Sequence, residues 1–212
     1  MTTLTATFNP ADKSTPGHYG ASQTALLLLD FHSLFVQKAA GPAGAAALET
    51  AAHMRTWAKS QGIQVIHCLV DVNAKPFPTC KDPERLAAFA AAMKSGGAEE
   101  PAELLGGGGD EATFLRVPGH VSALKSPGLS DYLEKKGLKS LILMGLSTSG
   151  CVMRTAVMAG DAEYVVTVIS DGCADPMQEV HDIMIGKVLA NRGYVTTAAE
   201  FQEGFAKSAG GQ

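Results

Sequence analysis

The sequence predicts an α/β protein with a Rossmann-like three-layer α/β/α fold around a mostly parallel six-stranded sheet. Short apolar runs alternate with helical patterns along most of the chain. The runs are continuous, which is typical of parallel strands that are buried on both faces. A length of 212 residues with 46% apolar content suits one globular domain. We assign that domain to residues 24–200, after an N-terminal arm (1–23) and before a C-terminal tail (201–212).

Six apolar segments predict the strands. The first, TALLLLD at 24–30, ends in an acid, and the second is IQVIHCLV at 63–70. The other four strands are predicted at 113–117, 139–145, 164–170 and 193–197. Strands that alternate with helices in this order form parallel sheets with right-handed crossovers and helices on both faces.

Helical spacing and capping residues predict the helices between the strands. The segment 44–60 is rich in Ala, and 82–94 begins with Asp82 as a candidate N-cap. The remaining helices are predicted at 130–136, 148–160 and 176–190, with Asp175 as the cap of the last one. The four glycines at 106–109 predict a tight or mobile turn.

Charge and composition exclude several partners. The chain has 17 Lys and Arg against 21 Asp and Glu, a net charge of −4, and no basic run. This balance argues against nucleic acid or an anionic membrane as a partner. No apolar run approaches the roughly 20 residues of a membrane helix, and the N-terminus lacks the features of a secretion signal. We expect a cytoplasmic protein whose cysteines, such as Cys68 and Cys173, are buried free thiols.

The candidate site lies at the ends of the predicted strands. Open parallel sheets bind ligands outside the carboxyl ends of their strands. The polar and small residues at those ends are Asp30, Asp71, Arg116, Gly145 and Asp171. An acid such as Asp30 could act as a general base or could cap the helix that follows.

Cys151 is the candidate nucleophile. It lies in GLSTSGCVMRTAVMAG, where a predicted strand turns into a helix. A helix N-terminus stabilises negative charge, so the position predicts a lowered thiol pKa and a reactive thiolate. The alternative is a small buried core cysteine. Backbone N–H groups of the same turn could form an oxyanion hole.

The histidines and glycines do not form a metal or phosphate motif. No two of the histidines at 32, 53, 67, 120 and 181 have an i, i+4 spacing, and none clusters with acids in the sequence. His67 falls inside a predicted buried strand, which favours a hydrogen-bonded core histidine. No phosphate-binding glycine motif follows the first strand. We expect no metal and no cofactor.

The strand-to-helix segments resemble those of the isochorismatase-like cysteine hydrolases, a superfamily that includes nicotinamidases, N-carbamoyl amidohydrolases and isochorismatase. The resemblance covers about residues 24–197, including TALLLLDFHSLF and the Asp-Gly-Cys-Ala at 171–174. Its most specific element is a G-x-x-T-x-x-C-V turn, followed by small residues. The matching positions are Gly145, Thr148, Cys151, Val152, Thr155, Ala156 and Ala159.

The resemblance implies an Asp–Lys–Cys triad that hydrolyses a small amide or ureido substrate. Asp30 would take the proton of Cys151, which would attack a carbonyl carbon and form a thioester. The N–H groups of Ser147 and Cys151 would bind the oxyanion, next to a cis peptide near Leu146–Ser147. We further predict that the small-molecule substrate contacts Ser147 and Thr148.

Two further residues are predicted to contact the substrate. Phe35 follows the first strand, and His120 follows the third. Both residues lie close to the predicted site at the carboxyl ends of the strands.

The third triad member is missing from its usual place. Counting back from Ser122-Ala123-Leu124, the lysine position is occupied by Pro118, which has no ionisable group. Arg116, His120 and Lys125 are the candidate substitutes. We favour Arg116, because its guanidinium could pair with Asp30 and stabilise a thiolate, although it stays charged and cannot transfer a proton.

Other functions and assemblies remain open at this stage. The same pocket could cleave a vinyl ether without the cysteine, as isochorismatase relatives do, or the chain could be a catalytically impaired binding protein. Nicotinamidases hold a divalent ion after the second strand, but no histidine follows Asp71 in VNAKPFPTCKD, which again predicts no metal. The resemblance and the Ala-rich segment 39–52 predict a homo-oligomer, either a dimer or a tetramer.

Overall fold

A computed structural model describes residues 4–106 and 110–209 of the chain. The predicted glycine turn at 106–109 therefore lies outside the described residues except for Gly106. The strands are β1 (Thr24–Leu29), β2 (Gln64–Val70), β3 (Ala112–Arg116), β4 (Ser140–Leu146), β5 (Val165–Ala174) and β6 (Tyr194–Thr196). The α-helices are α1 (Leu4–Thr7), α2 (Gly44–Ser60), α3 (Pro83–Ser95), α4 (Leu129–Lys135), α5 (Met153–Asp161), α6 (Gln178–Ile183) and α7 (Ala198–Ala209).

Short irregular helical turns connect several of these elements. Three of them are π-helical: Phe35–Ala39, Thr148–Val152 and Met184–Val188. Five are 3₁₀ turns: Pro16–His18, Ala21–Gln23, Ala102–Leu104, Ala123–Lys125 and Leu189–Asn191.

The six strands form one sheet in the order β3-β2-β1-β4-β5-β6, and every neighbouring pair is parallel. The predicted fold class is confirmed. The strand order reverses between β1 and β4, which pair along their whole length from Thr24 opposite Ser140 to Leu29 opposite Gly145. In open α/β sheets this reversal is where ligands bind.

The central strand β1 shows why the fold has three layers. All six of its residues are buried. Leu26 and Leu28 belong to a core with α2 and α7, and Leu27 and Leu29 belong to a second core with α4 and α5. Successive side chains of a strand point to opposite faces, so a continuous apolar run supplies both cores at once.

The strand β5 is longer than predicted. It continues through Ala174, so Asp171 lies within the strand and not in a turn after it. The Asp171 carboxylate accepts a hydrogen bond from the backbone N–H of Ala198 at the start of α7 (2.9 Å). The predicted helix 176–190 is divided into α6, a π-helical turn and a 3₁₀ turn.

Two predicted helix caps are wrong. Asp82 precedes α3 in a left-handed conformation, and its side chain makes no capping hydrogen bond. Asp175 does not cap α6, because its carboxylate instead accepts two hydrogen bonds from Ser149 after β4.

The predicted arm and tail both pack on the domain. Phe201 and Phe205 of α7 are buried, so the division at residue 200 falls inside a helix that belongs to the core. Phe8 of the arm contacts Phe201 edge-to-face, with ring centroids 5.3 Å apart, and Trp57 of α2 contacts both α7 rings. Aromatic contacts of this kind join the two ends of the chain to α2.

The alanine face of α2 covers the sheet. Ala47, Ala51 and Ala58 are fully buried in the core that includes β1. These residues are therefore unavailable for the packing between copies that the sequence suggested, and the homo-oligomer stays a prediction. Among the described residues, no helix is long and apolar enough to cross a membrane.

A buried charge cluster holds the segment before β3 against β2. His67 lies between two carboxylates, with Nδ1 2.9 Å from Glu100 and Nε2 2.8 Å from Glu111. Glu111 also accepts hydrogen bonds from Arg55 and Lys59. The two carboxylates raise the pKa of His67 despite its burial. The prediction of a hydrogen-bonded core histidine is confirmed.

The cluster predicts a loss of stability as the pH rises. Because the pKa of His67 is higher in the folded than in the unfolded protein, its contribution is complete below about pH 6.5 and declines as the pH rises through the folded value. Urea unfolding between pH 6 and 9 should show a free energy of unfolding that falls more steeply in the wild type than in His67→Gln. Equal slopes in the two proteins would contradict this assignment.

Candidate active site

Two predicted residues meet where the strand order reverses. Asp30 directly follows β1, and Cys151 follows β4 at the end of a five-residue turn. Since β1 and β4 are parallel neighbours, their carboxyl ends deliver both residues to one place. Asp30 adopts a positive φ of 57°, which is uncommon for a residue other than glycine but accessible to Asp.

Arg116 reaches this place from two strands away. It is the last residue of β3, which is separated from β1 by β2. Two strand spacings amount to about 9–10 Å, a distance that a long arginine side chain can cover. Nη1 donates to Oδ1 of Asp30 (2.7 Å) and Nη2 donates to Oδ2 (2.5 Å). Nε donates to the backbone carbonyl oxygen of His120 (2.9 Å), which fixes the plane of the guanidinium.

The ion pair is enclosed by protein. Asp30 and Arg116 are each 3% exposed, as is Cys151. Asp30 raises the pKa of the guanidinium above its usual value, against the effect of burial. A two-pronged arginine–carboxylate pair is among the stronger hydrogen-bonded contacts in proteins, and its geometry is fixed. The structure thus brings together all three residues predicted as catalytic.

The Cys151 thiol differs from the prediction in its acidity. Burial raises its pKa well above the ordinary value, the Asp30 carboxylate raises it further, and Arg116 lowers it. The thiol donates a hydrogen bond to the carbonyl oxygen of Leu146, with Sγ 3.2 Å from that oxygen. The lowered pKa predicted from the helix N-terminus is wrong, because Cys151 lies in the π-helical turn before α5 and is desolvated. A raised pKa favours the protonated form of this thiol.

The turn before Cys151 has the predicted backbone conformation. The peptide bond between Leu146 and Ser147 is cis. Within the described part of the chain, the Ser147 N–H has no hydrogen-bond partner. Gly150 has φ −96° and ψ −107°, which interrupts the helical geometry before Cys151.

Thr148 does not lie where the sequence suggested. It is fully buried, and its hydroxyl is 2.8 Å from Nδ1 of His181 on α6. The hydroxyl is therefore directed to a neighbouring helix, so the predicted substrate contact of Thr148 is not supported.

A cavity of about 380 Å³ opens above the ion pair and the thiol. Three predicted contact residues, Phe35, His120 and Ser147, line it together with Pro118. The place of Pro118 at the position of the family's lysine stays a prediction. Of the other candidate substitutes, His120 lines the cavity and Lys125 is exposed in a 3₁₀ turn.

The sequence did not predict that α3 forms one wall of the cavity. Leu86, Phe89, Ala90 and Met93 of this helix face the cavity, and Arg85 lies at its beginning. Their i, i+3 and i+4 spacing is visible in the sequence, but it does not reveal which surface the helix covers.

His32 supports the cavity wall from behind. It is buried, with Nδ1 2.5 Å from the carbonyl oxygen of Ala98, and its Nε2 accepts a hydrogen bond from the N–H of Val70 (3.1 Å). Its ring packs edge-to-face on Phe35, which in turn stacks on Phe89 with centroids 5.4 Å apart. These contacts connect β1, β2 and α3 around the cavity.

Metal-binding groups do not converge at this site in the part of the chain that the structure describes. No group of three or more His, Cys, Asp or Glu side chains there is arranged to hold a metal ion. Asp71 accepts a hydrogen bond from the N–H of Asn73 (2.9 Å), as in a turn. The absence of a metal stays a prediction.

The fold and the site define a class of protein: a parallel three-layer α/β protein with an acid and a cysteine at the reversal of strand order. Residues 24–200 match the model of the Isochorismatase domain. The protein therefore belongs to the isochorismatase family, as the resemblance predicted. No curated protein matches the chain in sequence.

Solved structures share this fold. A cysteine hydrolase from Pseudomonas syringae pv. phaseolicola 1448A has a TM-score of 0.74 at 16% identity, covering 90% of this chain and 95% of that one. An isochorismatase-like hydrolase from Alkaliphilus metalliredigens has a TM-score of 0.69 at 23% identity, covering 88% and 98%. N-carbamoylsarcosine amidase from Thermoplasma acidophilum has a TM-score of 0.66 at 21% identity, covering 83% and 96%.

The buried ion pair predicts a large effect of removing its cation. Arg116→Gln leaves the Asp30 charge buried without its partner, which should lower the free energy of unfolding by about 3–5 kcal/mol. Because Arg116 lowers the pKa of Cys151, the same variant should also react more slowly with iodoacetamide at pH 8.

Urea unfolding and the rate of alkylation measure the two effects. Arg154→Gln, which changes an exposed arginine on α5, is the matched control and should shift the free energy of unfolding by no more than about 0.5 kcal/mol. An Arg116→Gln protein as stable as this control would contradict the ion-pair assignment.

Proposed function

We propose that the protein hydrolyses a C–N bond of a small amide or ureido substrate through a covalent thioester on Cys151. The observation that carries this proposal is that Asp30, Arg116 and Cys151 line one cavity together. The Asp30 carboxylate accepts both guanidinium hydrogen bonds of Arg116, and its charge acts on the Cys151 thiol. A nucleophile bonded to a base that a third group orients is the usual arrangement for covalent catalysis.

Acylation begins from the neutral thiol. The Cys151 sulfur attacks the carbonyl carbon and a C–S bond forms, while the thiol proton passes to the Asp30 carboxylate. The electron pair of the C=O bond moves to oxygen, and the N–H groups of Ser147 and Cys151 stabilise the resulting oxyanion. The C–N bond then breaks, and the proton held by Asp30 leaves with the amine or ammonia.

Deacylation uses the same groups in the second half of the reaction. Water attacks the thioester carbonyl and gives up a proton to Asp30, and the C–S bond breaks. The Asp30 proton then returns to the Cys151 sulfur. Arg116 stays protonated throughout, so it orients the carboxylate and stabilises the developing negative charge, but it does not carry a proton as a lysine could.

The cavity favours a compact substrate with an apolar part. Phe35 and the α3 side chains supply the apolar surface, and His120 adds a polar group to the lining. His120 is stacked at a tilt on Phe77, with centroids 4.7 Å apart, which restrains its ring. The N-carbamoylsarcosine amidase from Thermoplasma acidophilum, which has the same fold, supports an amide or ureido substrate.

A panel of small primary amides and ureido acids tests the proposal by release of ammonia. Turnover of at least one member is expected, and Cys151→Ala should reduce kcat by about 10³-fold or more because the nucleophile is lost. No turnover above the Cys151→Ala background on any member would contradict the proposal.

A parallel assay with isochorismate separates the other two functions. A Cys151→Ala protein that still converts isochorismate would identify a vinyl-ether hydrolase. Saturable binding of panel members without turnover of any compound would identify a binding protein. Size-exclusion mass on the same preparation tests the predicted dimer or tetramer.

A further inference from the structure

The turn that carries Cys151 is held from outside the cavity by the neighbouring strand. Leu146 at the end of β4 pairs with Ala174 at the end of β5. The residues that follow them, Ser147 and Asp175, therefore leave the sheet side by side at the same edge. This pairing brings Asp175 under the turn, although the two segments are far apart in the sequence.

Asp175 makes two hydrogen bonds to one residue of the turn. Its Oδ2 accepts from the backbone N–H of Ser149 (2.9 Å) and from the Ser149 hydroxyl (2.6 Å). Asp175 is only 5% exposed, so both bonds are shielded from water. A carboxylate that accepts such bonds holds its donors more firmly than a neutral acceptor does.

His181 holds the preceding residue from a second element. Its Nδ1 is 2.8 Å from the Thr148 hydroxyl, which is fully buried. Thus α6 and the end of β5 fix Thr148 and Ser149, two consecutive residues, from separate directions. The side chains that line the cavity do not include Asp175 or His181 in the described part of the chain, so their effect on a substrate passes through the turn.

The turn needs such support because regular helical geometry does not set it. Gly150 interrupts the helical conformation, and the donors invoked for the oxyanion lie on either side of the held pair, at Ser147 and Cys151. An oxyanion hole stabilises charge only when its donors are fixed before the reaction. A displacement of about 1 Å in such a site can reduce the rate by about 100-fold.

We propose that Asp175 and His181 are positioning residues that fix the oxyanion donors of Ser147 and Cys151. The inference rests on the proposed function, since it concerns the same thioester chemistry. It assigns to Asp175, which sequence reasoning treated as a helix cap, an effect on the reacting oxygen.

Formation of an aldehyde adduct tests the donors without turnover. The Cys151 sulfur adds to the carbonyl carbon of benzaldehyde, a C–S bond forms, and the thiol proton ends on the former carbonyl oxygen, which lies where the oxyanion would lie. With [carbonyl-¹³C]benzaldehyde, the ¹³C NMR signal of this thiohemiacetal reports the affinity directly. Benzyl alcohol, which forms no adduct, reports whether the cavity is intact.

Asp175→Ala should weaken the adduct by about 10- to 100-fold, because the Ser149 N–H and hydroxyl lose their acceptor. Asp175→Asn keeps an acceptor oxygen and should retain most of the affinity. Asp171→Ala is the matched control, because it removes a carboxylate of β5, the strand that Asp175 directly follows. Among the described hydrogen bonds, the Asp171 side chain contacts only Ala198, so this variant should leave the adduct unchanged.

A second pair of variants covers the case in which Asp175→Ala does not fold. His181 lies on a helix whose residues are not buried, so His181→Leu removes the bond to Thr148 with little risk to the core. His181→Asn places an amide group near the former Nδ1 and should restore adduct formation. Benzyl alcohol should bind all variants equally.

The outcomes separate this inference from the function on which it rests. Equal adduct affinity in the wild type, Asp175→Ala and His181→Leu would overturn the positioning role alone. Reaction with iodoacetamide under denaturing conditions shows whether the Cys151 thiol is chemically intact. If it is intact and the wild type still forms no adduct, the proposed function and this inference are both overturned.

Discussion

The buried pair of Asp30 and Arg116 is the interaction on which the arrangement of the site depends. Arg116 crosses the end of β2 to reach Asp30, so the pair ties the edge of the sheet to the reversal of strand order. Removing two charges from water offsets most of their attraction, and a buried ion pair therefore contributes little net stability. Its effect is geometric: two hydrogen bonds from Arg116 orient both carboxylate oxygens of Asp30, the group that we propose as the base for Cys151.

The same pair acts on the acidity of the thiol from which the proposed reaction starts. Burial and the Asp30 charge raise the pKa of Cys151, and Arg116 lowers it only in part. In the proposed reaction, proton transfer to Asp30 therefore accompanies the attack of the sulfur. A lysine at this place could exchange a proton with its neighbours, but a guanidinium stays charged, so in the proposed reaction Asp30 alone transfers the proton.

Local patterns in the sequence were sufficient to predict the sheet and the three central residues. The run at 24–30 identifies β1 and the acid after it, and the turn before Cys151 has a specific residue pattern. Arg116 could be predicted because it lies two residues before Pro118, the inferred lysine position, and residues two apart on a strand share a face. The cavity wall formed by α3 and the hydrogen bonds from Ser149 to Asp175 could not be predicted, since both depend on contacts between distant segments. The raised thiol pKa depends on burial, which spacing alone does not reveal.

In the proposed mechanism, Cys151 forms a covalent acyl intermediate with Asp30 as the proton acceptor. Intact-protein mass spectrometry after an acid quench, on enzyme mixed with a substrate found in the panel, tests it most directly. We predict a mass increase equal to the acyl group, located on the peptide that contains Cys151 and absent in Cys151→Ala. The Asp30→Asn variant should accumulate less of this acyl-enzyme than the wild type, because it lacks the proton acceptor. The contradicting result is turnover with no acyl mass on Cys151 at any quench time. A slowly hydrolysed ester analogue, which should accumulate the acyl-enzyme, must also leave no such mass if the covalent mechanism is wrong.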